Sequence, residues 1–347
     1  MQHEDISFHN VCELRPTEDG GRLLQRVPEA VRAELNDGAR ERMRHPAGVE
    51  LRFVPDGEVS VTLSTRPQRG PPTDTVRVFW GPFQGREGLV HETHEVGTEP
   101  TTLSVTPPDR LGDLDPAVAD DLAFDPRVCR LRLPGEHRSG HVVFHGAEGA
   151  RRPPRDDEVP DRRYLAYGTS ITEGEAPSAE HLTYVNQTAT RLDADPLNLG
   201  SCGTAYADAA MADHVADRGD WDVATLALSV NMLGTFSVDE FRERAAYMVD
   251  TVAGENPGKP VAAVTIYTNA RDVVPGGGEE CAAFRDALRD VVADSPHDNL
   301  HLVEGPDVAD GVAGFTPDLV HPGDRAMIRM GENLAAELAP LLGEPGC

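Results

Sequence analysis

Ser170 stands in "YLAYGTSITEG", residues 164–174, where an apolar run meets a glycine and then a hydroxyl-rich turn. A serine held at such a strand end is a candidate nucleophile, but its hydroxyl is weak at neutral pH without a base. "TPDLVHPGD", residues 316–324, supplies one: Asp318 precedes His321 by three positions. That spacing lets a carboxylate fix the imidazole tautomer while the other ring nitrogen faces the serine. The third requirement is a set of donors aimed at a developing oxyanion. "NLGSCG" offers the bare backbone N–H of Gly203, and "SVNML" the side-chain amide of Asn231. Together these residues could attack a carbonyl carbon, hold the resulting oxyanion and pass through an acyl-enzyme. Singly, each has a plain structural explanation, since serine and asparagine are ordinary turn formers and D-x-x-H arises by chance. The specificity lies in the ordered set.

The elements that must position them follow from the pattern around them. Beyond residue 162, strand-like runs "RYLAYG", "PLNLG", "DVATLALSV", "KPVAAVTIYT" and "NLHLVEG" alternate with helical patterns near 180–192, 205–217, 238–253, 279–293 and 323–342. The third helix opens on a capping box, Ser237 with Glu240. Strands apolar almost throughout, alternating with amphipathic helices, predict a doubly wound α/β unit of about five parallel strands. Ligands bind such sheets at the carboxyl ends of the strands, where all the candidate residues fall.

On the other side of "GARRPPRDDEVPDRR", a charged, proline-rich boundary, the pattern has period two: "VELRFV", "EVSVTLST", "TVRVFWG", "TLSVTP", "CRLRLP" and "HVVFHG". These predict an all-β sandwich. The expected domains are residues 1–155, a sandwich with a short N-terminal extension in which "PEAVRAELNDGARERM" forms a short helix, and residues 162–347.

Composition narrows the partners. Of 347 residues, 59 are acidic and 32 basic, all of the latter arginine except Lys259. A net charge of −27 repels nucleic acid and anionic membranes, so neither is expected as a partner. Spread evenly along a lysine-poor chain, it predicts a protein that works in high salt, where screening removes self-repulsion, and hence a haloarchaeal source. No secretory signal or membrane-spanning run is visible, and a cytoplasmic location is expected. The oligomeric state is not legible.

The candidate residues resemble the SGNH (GDSL) hydrolase family over roughly residues 162–342. Its four blocks are matched in order by Ser170, Gly203, Asn231 and the pair Asp318 and His321, with Thr169 and Met232 standing where the family carries aspartates. The resemblance implies a three-layer α/β/α (flavodoxin-like) domain, an Asp318–His321–Ser170 triad, and an oxyanion hole formed by the N–H groups of Ser170 and Gly203 with the Asn231 amide. It implies no metal or organic cofactor. A sandwich preceding such a domain is similar in architecture to two-domain carbohydrate esterases with an N-terminal jelly roll. The expected function is hydrolysis of a short acyl ester, acetyl first, on a sugar or other polyol. Lipase-like or thioesterase activity and a catalytically idle carbohydrate binder are the alternatives.

Remaining motifs have plain readings. Cysteines 12, 129, 202, 281 and 347 lack zinc spacing and read as isolated thiols. His91 with His94, and His141 with His145, read as alternating surface histidines rather than metal ligands. The sequon at Asn186 falls in a predicted helix, and "GGG" at 276–278 lacks the lysine of a phosphate loop.

Overall fold

The computed structural model describes residues 1–68, 73–135, 140–228 and 230–343; Cys347 lies outside the described residues. The chain forms two compact units, one of residues 1–29 with 43–161 and the other of residues 30–42 with 162–347.

The first unit is built of antiparallel strands in two main sheets. One centres on Glu50–Pro55, Cys129–Arg132 and Asp74–Trp80, the other on Val59–Arg66 between Thr101–Val105 and His141–Glu148. Alternation sends Leu51, Phe53, Val76, Val78, Trp80 and Leu131 from one sheet and Val59, Val61, Leu63, Leu103 and Phe144 from the other into a single core. The six period-two segments of the sequence are all strands. The first 25 residues hold further strands that periodicity did not predict, Ile6–His9, Glu13–Pro16 and Arg22–Gln25. Four residues give only two inward positions, too few for alternation to stand out.

The second unit carries a parallel sheet of β1 (Arg162–Gly168), β2 (Ala194–Gly200), β3 (Val223–Ala227), β4 (Val261–Val264) and β5 (Leu300–Val303), in spatial order β2-β1-β3-β4-β5. This is the flavodoxin-like doubly wound order. Among its helices are α1 (Ser170–Glu173), α2 (Tyr184–Arg191), α3 (Ala209–Arg218), α4 (Val238–Glu255), α5 (Gly278–Asp294) and α6 (Asp324–Leu338). Helices α2 and α6 share a core with Tyr164, Ala166, Ala262 and Val264, while α3, α4 and α5 pack side by side in sequence. The predicted box at α4 is present, the Ser237 N–H donating to Glu240 at 2.8 Å and the Glu240 N–H to Ser237 Oγ at 3.3 Å.

Residues 30–42 depart from the expected boundary, since they group with the second unit rather than the first. They also form two helical turns instead of one, Glu29–Glu34 and Asp37–Arg42, because the Asn36 side chain caps the second, accepting from the Ala39 N–H at 3.0 Å. Polar contacts help hold them to the second unit. Asn36 donates from its amide to the Thr204 carbonyl at 3.0 Å and to Asp208 at 2.7 Å, and from its backbone to Asp208 at 3.0 Å. No helix among the described residues is long and apolar enough to cross a membrane.

Candidate active site

Strand register brings the loops together. Gly168 of β1 pairs with Gly200 of β2, so the turns leaving both strands start at one level. Gly200 must lack a side chain, because a Cβ there would lie 2.1 Å from the Glu173 backbone nitrogen. Ser170 is the first residue of α1, and Thr169 serves as its N-cap, its hydroxyl accepting from the Ile171 N–H at 3.4 Å. A hydroxyl can therefore do the local work of an N-terminal cap where the family's motif carries aspartate. The short helix is tied down by Asn198, which donates to the Thr172 carbonyl at 2.7 Å, and by a 2.8 Å bond between the Thr172 and Tyr184 hydroxyls.

Asp318 and His321 lie in the loop before α6, closed by a bridge between Phe315 and Pro322 and by the Thr316 N–H donating to the His321 carbonyl at 2.8 Å. Asp318 Oδ1 accepts from Thr316 Oγ1 at 2.7 Å, Val320 N at 2.8 Å and His321 N at 3.0 Å. Its Oδ2 lies 2.7 Å from His321 Nδ1, and His321 Nε2 lies 2.9 Å from Ser170 Oγ. Partial burial opposes ionisation of Asp318, but the ring of His321 and the backbone donors outweigh it and hold the carboxyl well below the usual range. An ionised Asp318 makes Nδ1 the protonated nitrogen, which leaves Nε2 to accept from the serine hydroxyl.

Gly203 has φ +70°, a left-handed conformation that a side chain makes costly, and a Cβ there would meet nothing within 4 Å. The requirement is for the backbone turn, and the space beside it is the cleft. Asn231 lines the same cleft and takes the Ala205 N–H on Oδ1 at 3.3 Å, which leaves its NH₂ as a donor. The cleft has a volume of about 380 Å³, and Ser170, His321, Gly203 and Asn231 all line it. Thus the five residues singled out by type and spacing meet at one place.

The loop carrying Gly203 is also braced by residues that motif reasoning missed. The buried Glu173 accepts from the Cys202 N–H at 2.5 Å, and Arg42 lies 3.8 Å from its other oxygen. Asn36 holds the next turn through Thr204. Glu173 was visible only as a motif spacer, and Arg42 and Asn36 precede the loop by more than 150 residues. Glu175 and Cys202 line the cleft as well, the thiol donating to Glu175 Oε2 at 3.3 Å. Burial, then the charge of Glu173, pushes the Cys202 thiol far up, so it stays protonated and is a poor nucleophile.

Other motifs serve the fold. Asn186 is buried in α2 and donates to the Glu180 carbonyl at 2.7 Å and to Thr183 Oγ1 at 2.9 Å, so its amide is committed to packing. His145 Nε2 sits 2.8 Å from Ser64 Oγ, His94 lies 3.6 Å from Glu92, and His141, expected on the surface, is buried. Among the described residues no group of three His, Cys, Asp or Glu side chains is arranged to hold a metal ion. Cys12, Cys129, Cys202 and Cys281 are free thiols.

Solved structures share this fold. A salicylyl-acyltransferase, SsfX3, from a tetracycline biosynthetic pathway superposes with a TM-score of 0.78 at 18% identity, covering 98% of this chain and 96% of its own. A family two carbohydrate esterase from Cellvibrio japonicus gives 0.64 at 12% identity, covering 98% and 96%. An acetyl xylan esterase from the rumen bacterium Butyrivibrio proteoclasticus gives 0.58 at 11%, covering 99% and 97%. Comparison with curated protein sequences finds no match. Residues 161–339, more than half the chain, match the model of the GDSL-like lipase/acylhydrolase family. The chain belongs to that family, and it is a carboxylic-ester hydrolase.

Proposed function

We propose that the protein is a serine esterase that removes a short acyl group, acetyl first, from a sugar or other polyol. The observation that carries the reading is the unbroken chain from Ser170 Oγ to His321 Nε2 at 2.9 Å and from Nδ1 to Asp318 at 2.7 Å, lining a cleft shared with Gly203 and Asn231. In this reading Ser170 Oγ attacks the ester carbonyl carbon as its proton passes to His321. The oxyanion is held by the N–H groups of Ser170 and Gly203 and by the Asn231 amide. Asp318 stabilises the imidazolium, which then protonates the leaving alcohol. Water, deprotonated by the same imidazole, attacks the acyl-enzyme, the carboxylic acid leaves, and Ser170 regains its proton. The acetyl preference draws on the structural likeness to proteins described as carbohydrate esterase and acetyl xylan esterase. A panel of acetyl, butyryl and octanoyl esters tests it, with kcat/KM expected to fall with chain length; preference for octanoyl would contradict it.

One further observation favours a second reading. The likeness to a salicylyl-acyltransferase spans 98% of the chain, and the same acyl-enzyme can be drained by an alcohol in place of water. Product analysis in the presence of glycerol separates the two, since transfer yields a new glycerol ester and hydrolysis only the free acid.

The high negative charge further supports work in high salt, and the scattered free thiols fit a reducing, cytoplasmic setting.

A further inference from the structure

Glu175 has no part in the mechanism above, yet its Oε2 lies 3.3 Å from His321 Nε2, the nitrogen that also sits 2.9 Å from Ser170 Oγ. The side chain is 22% exposed and lines the cleft. In acyl transfer through Ser170, Nε2 must hand its proton to the leaving alcohol, so that oxygen has to come within about 3 Å of Nε2. The incoming water or alcohol takes the same place in the second half-reaction. Whatever carries the alcohol oxygen is therefore brought up against the Glu175 carboxylate.

We propose that Glu175 determines specificity on the alcohol side of the ester, selecting alcohols that carry a second hydroxyl beside the ester oxygen. This rests on the acyl-enzyme reading and narrows its substrate class to esters of vicinal diols and polyols. A carboxylate only accepts hydrogen bonds and has about four lone-pair positions, so Glu175 can take a substrate hydroxyl alongside the Cys202 thiol and the His321 ring. The protonated thiol also steadies the carboxylate. A plain alkyl alcohol would strip water from Glu175 and return no hydrogen bond, and an alcohol bearing a negative group would be repelled. The selectivity is thus both attractive and repulsive.

The test compares two esters of equal carbon length, glycerol monoacetate and propyl acetate, on the wild type, Glu175→Ala and Glu175→Gln. The wild type is expected to favour glycerol monoacetate in kcat/KM. Loss of a hydrogen bond to a charged group should lower the ratio of the two kcat/KM values roughly 10- to 100-fold in Glu175→Ala. Glu175→Gln, which keeps an acceptor but loses the charge, should fall between. A ratio that stays within about threefold of the wild type overturns the proposal, because a merely structural role would lower both esters together. Labelling of Ser170 by a fluorophosphonate separates the role of Glu175 from the acyl-enzyme itself. A wild type that is labelled but shows no preference for the diol ester overturns the role of Glu175 alone; one that is neither labelled nor active overturns the acyl-enzyme reading with it.

Discussion

Asp318 accepts four hydrogen bonds, three of them on the oxygen that does not bond the His321 ring. Asp318→Asn would keep most of that loop intact while presenting an NH₂ to Nδ1, which favours the tautomer that carries its proton on Nε2. We expect kcat to fall roughly 10⁴-fold with KM little changed, the scale seen when the orienting carboxylate is removed from serine proteases. Steady-state kinetics beside an unchanged melting temperature checks this. Gly203→Ala acts through the backbone instead, since the position needs φ +70° and has open space around it. Forcing a side chain into the left-handed region costs about 1–2 kcal/mol and shifts the N–H aimed at the oxyanion. The expected result is a loss of roughly 10² in kcat, read by the same kinetics. At this scale the residues that meet in the cleft were largely legible in the sequence, because the candidate nucleophile, base and donors are marked by residue type and by their place after strands. Glu173 and Glu175 were not, since nothing in a carboxylate's identity tells whether it will brace a loop, face substrate or point to solvent.

The elements that carry the site differ in how openly they announce themselves. β1 to β5 are nearly continuous apolar runs and α4 opens on a capping box, so the parallel unit could be read from periodicity alone. The brace around the Gly203 loop could not. Asn36 reaches Thr204 and Asp208 across more than 160 residues, and such pairing leaves no local pattern. The geometry groups these two short helices with the second unit, where they brace the loop that carries Gly203. Asn36→Ala and Glu173→Ala, which removes the acceptor for the Cys202 N–H, should each lower kcat roughly 10- to 10³-fold with a much smaller change in KM. Glu173→Gln, still able to accept from Cys202, should recover much of that loss. Equal kcat in all three variants and the wild type would show that the loop holds its shape without the brace.

Across the whole molecule, charge and buried histidine set the conditions of stability. With a net charge of −27, raising KCl from about 0.1 M to about 3 M should raise the melting temperature, because screening relieves repulsion in the compact state. His214 is buried on α3, and burial first, then Arg218, pushes its imidazole down to about 4 from 6.5. The unfolded chain binds the proton more readily between those values, so stability is full above pH 6.5 and is lost as pH falls toward 4. The loss is on the order of 3 kcal/mol. His214→Gln should flatten that window in denaturant melts, and an unchanged pH dependence would contradict it.

The central claim is that Ser170 forms the acyl-enzyme, and its most direct test is hydrolysis of p-nitrophenyl acetate in high salt by the wild type beside Ser170→Ala. The wild type is expected to turn over, with a loss of about 10³-fold or more in a variant that melts at the same temperature. Equal turnover by both proteins would contradict it.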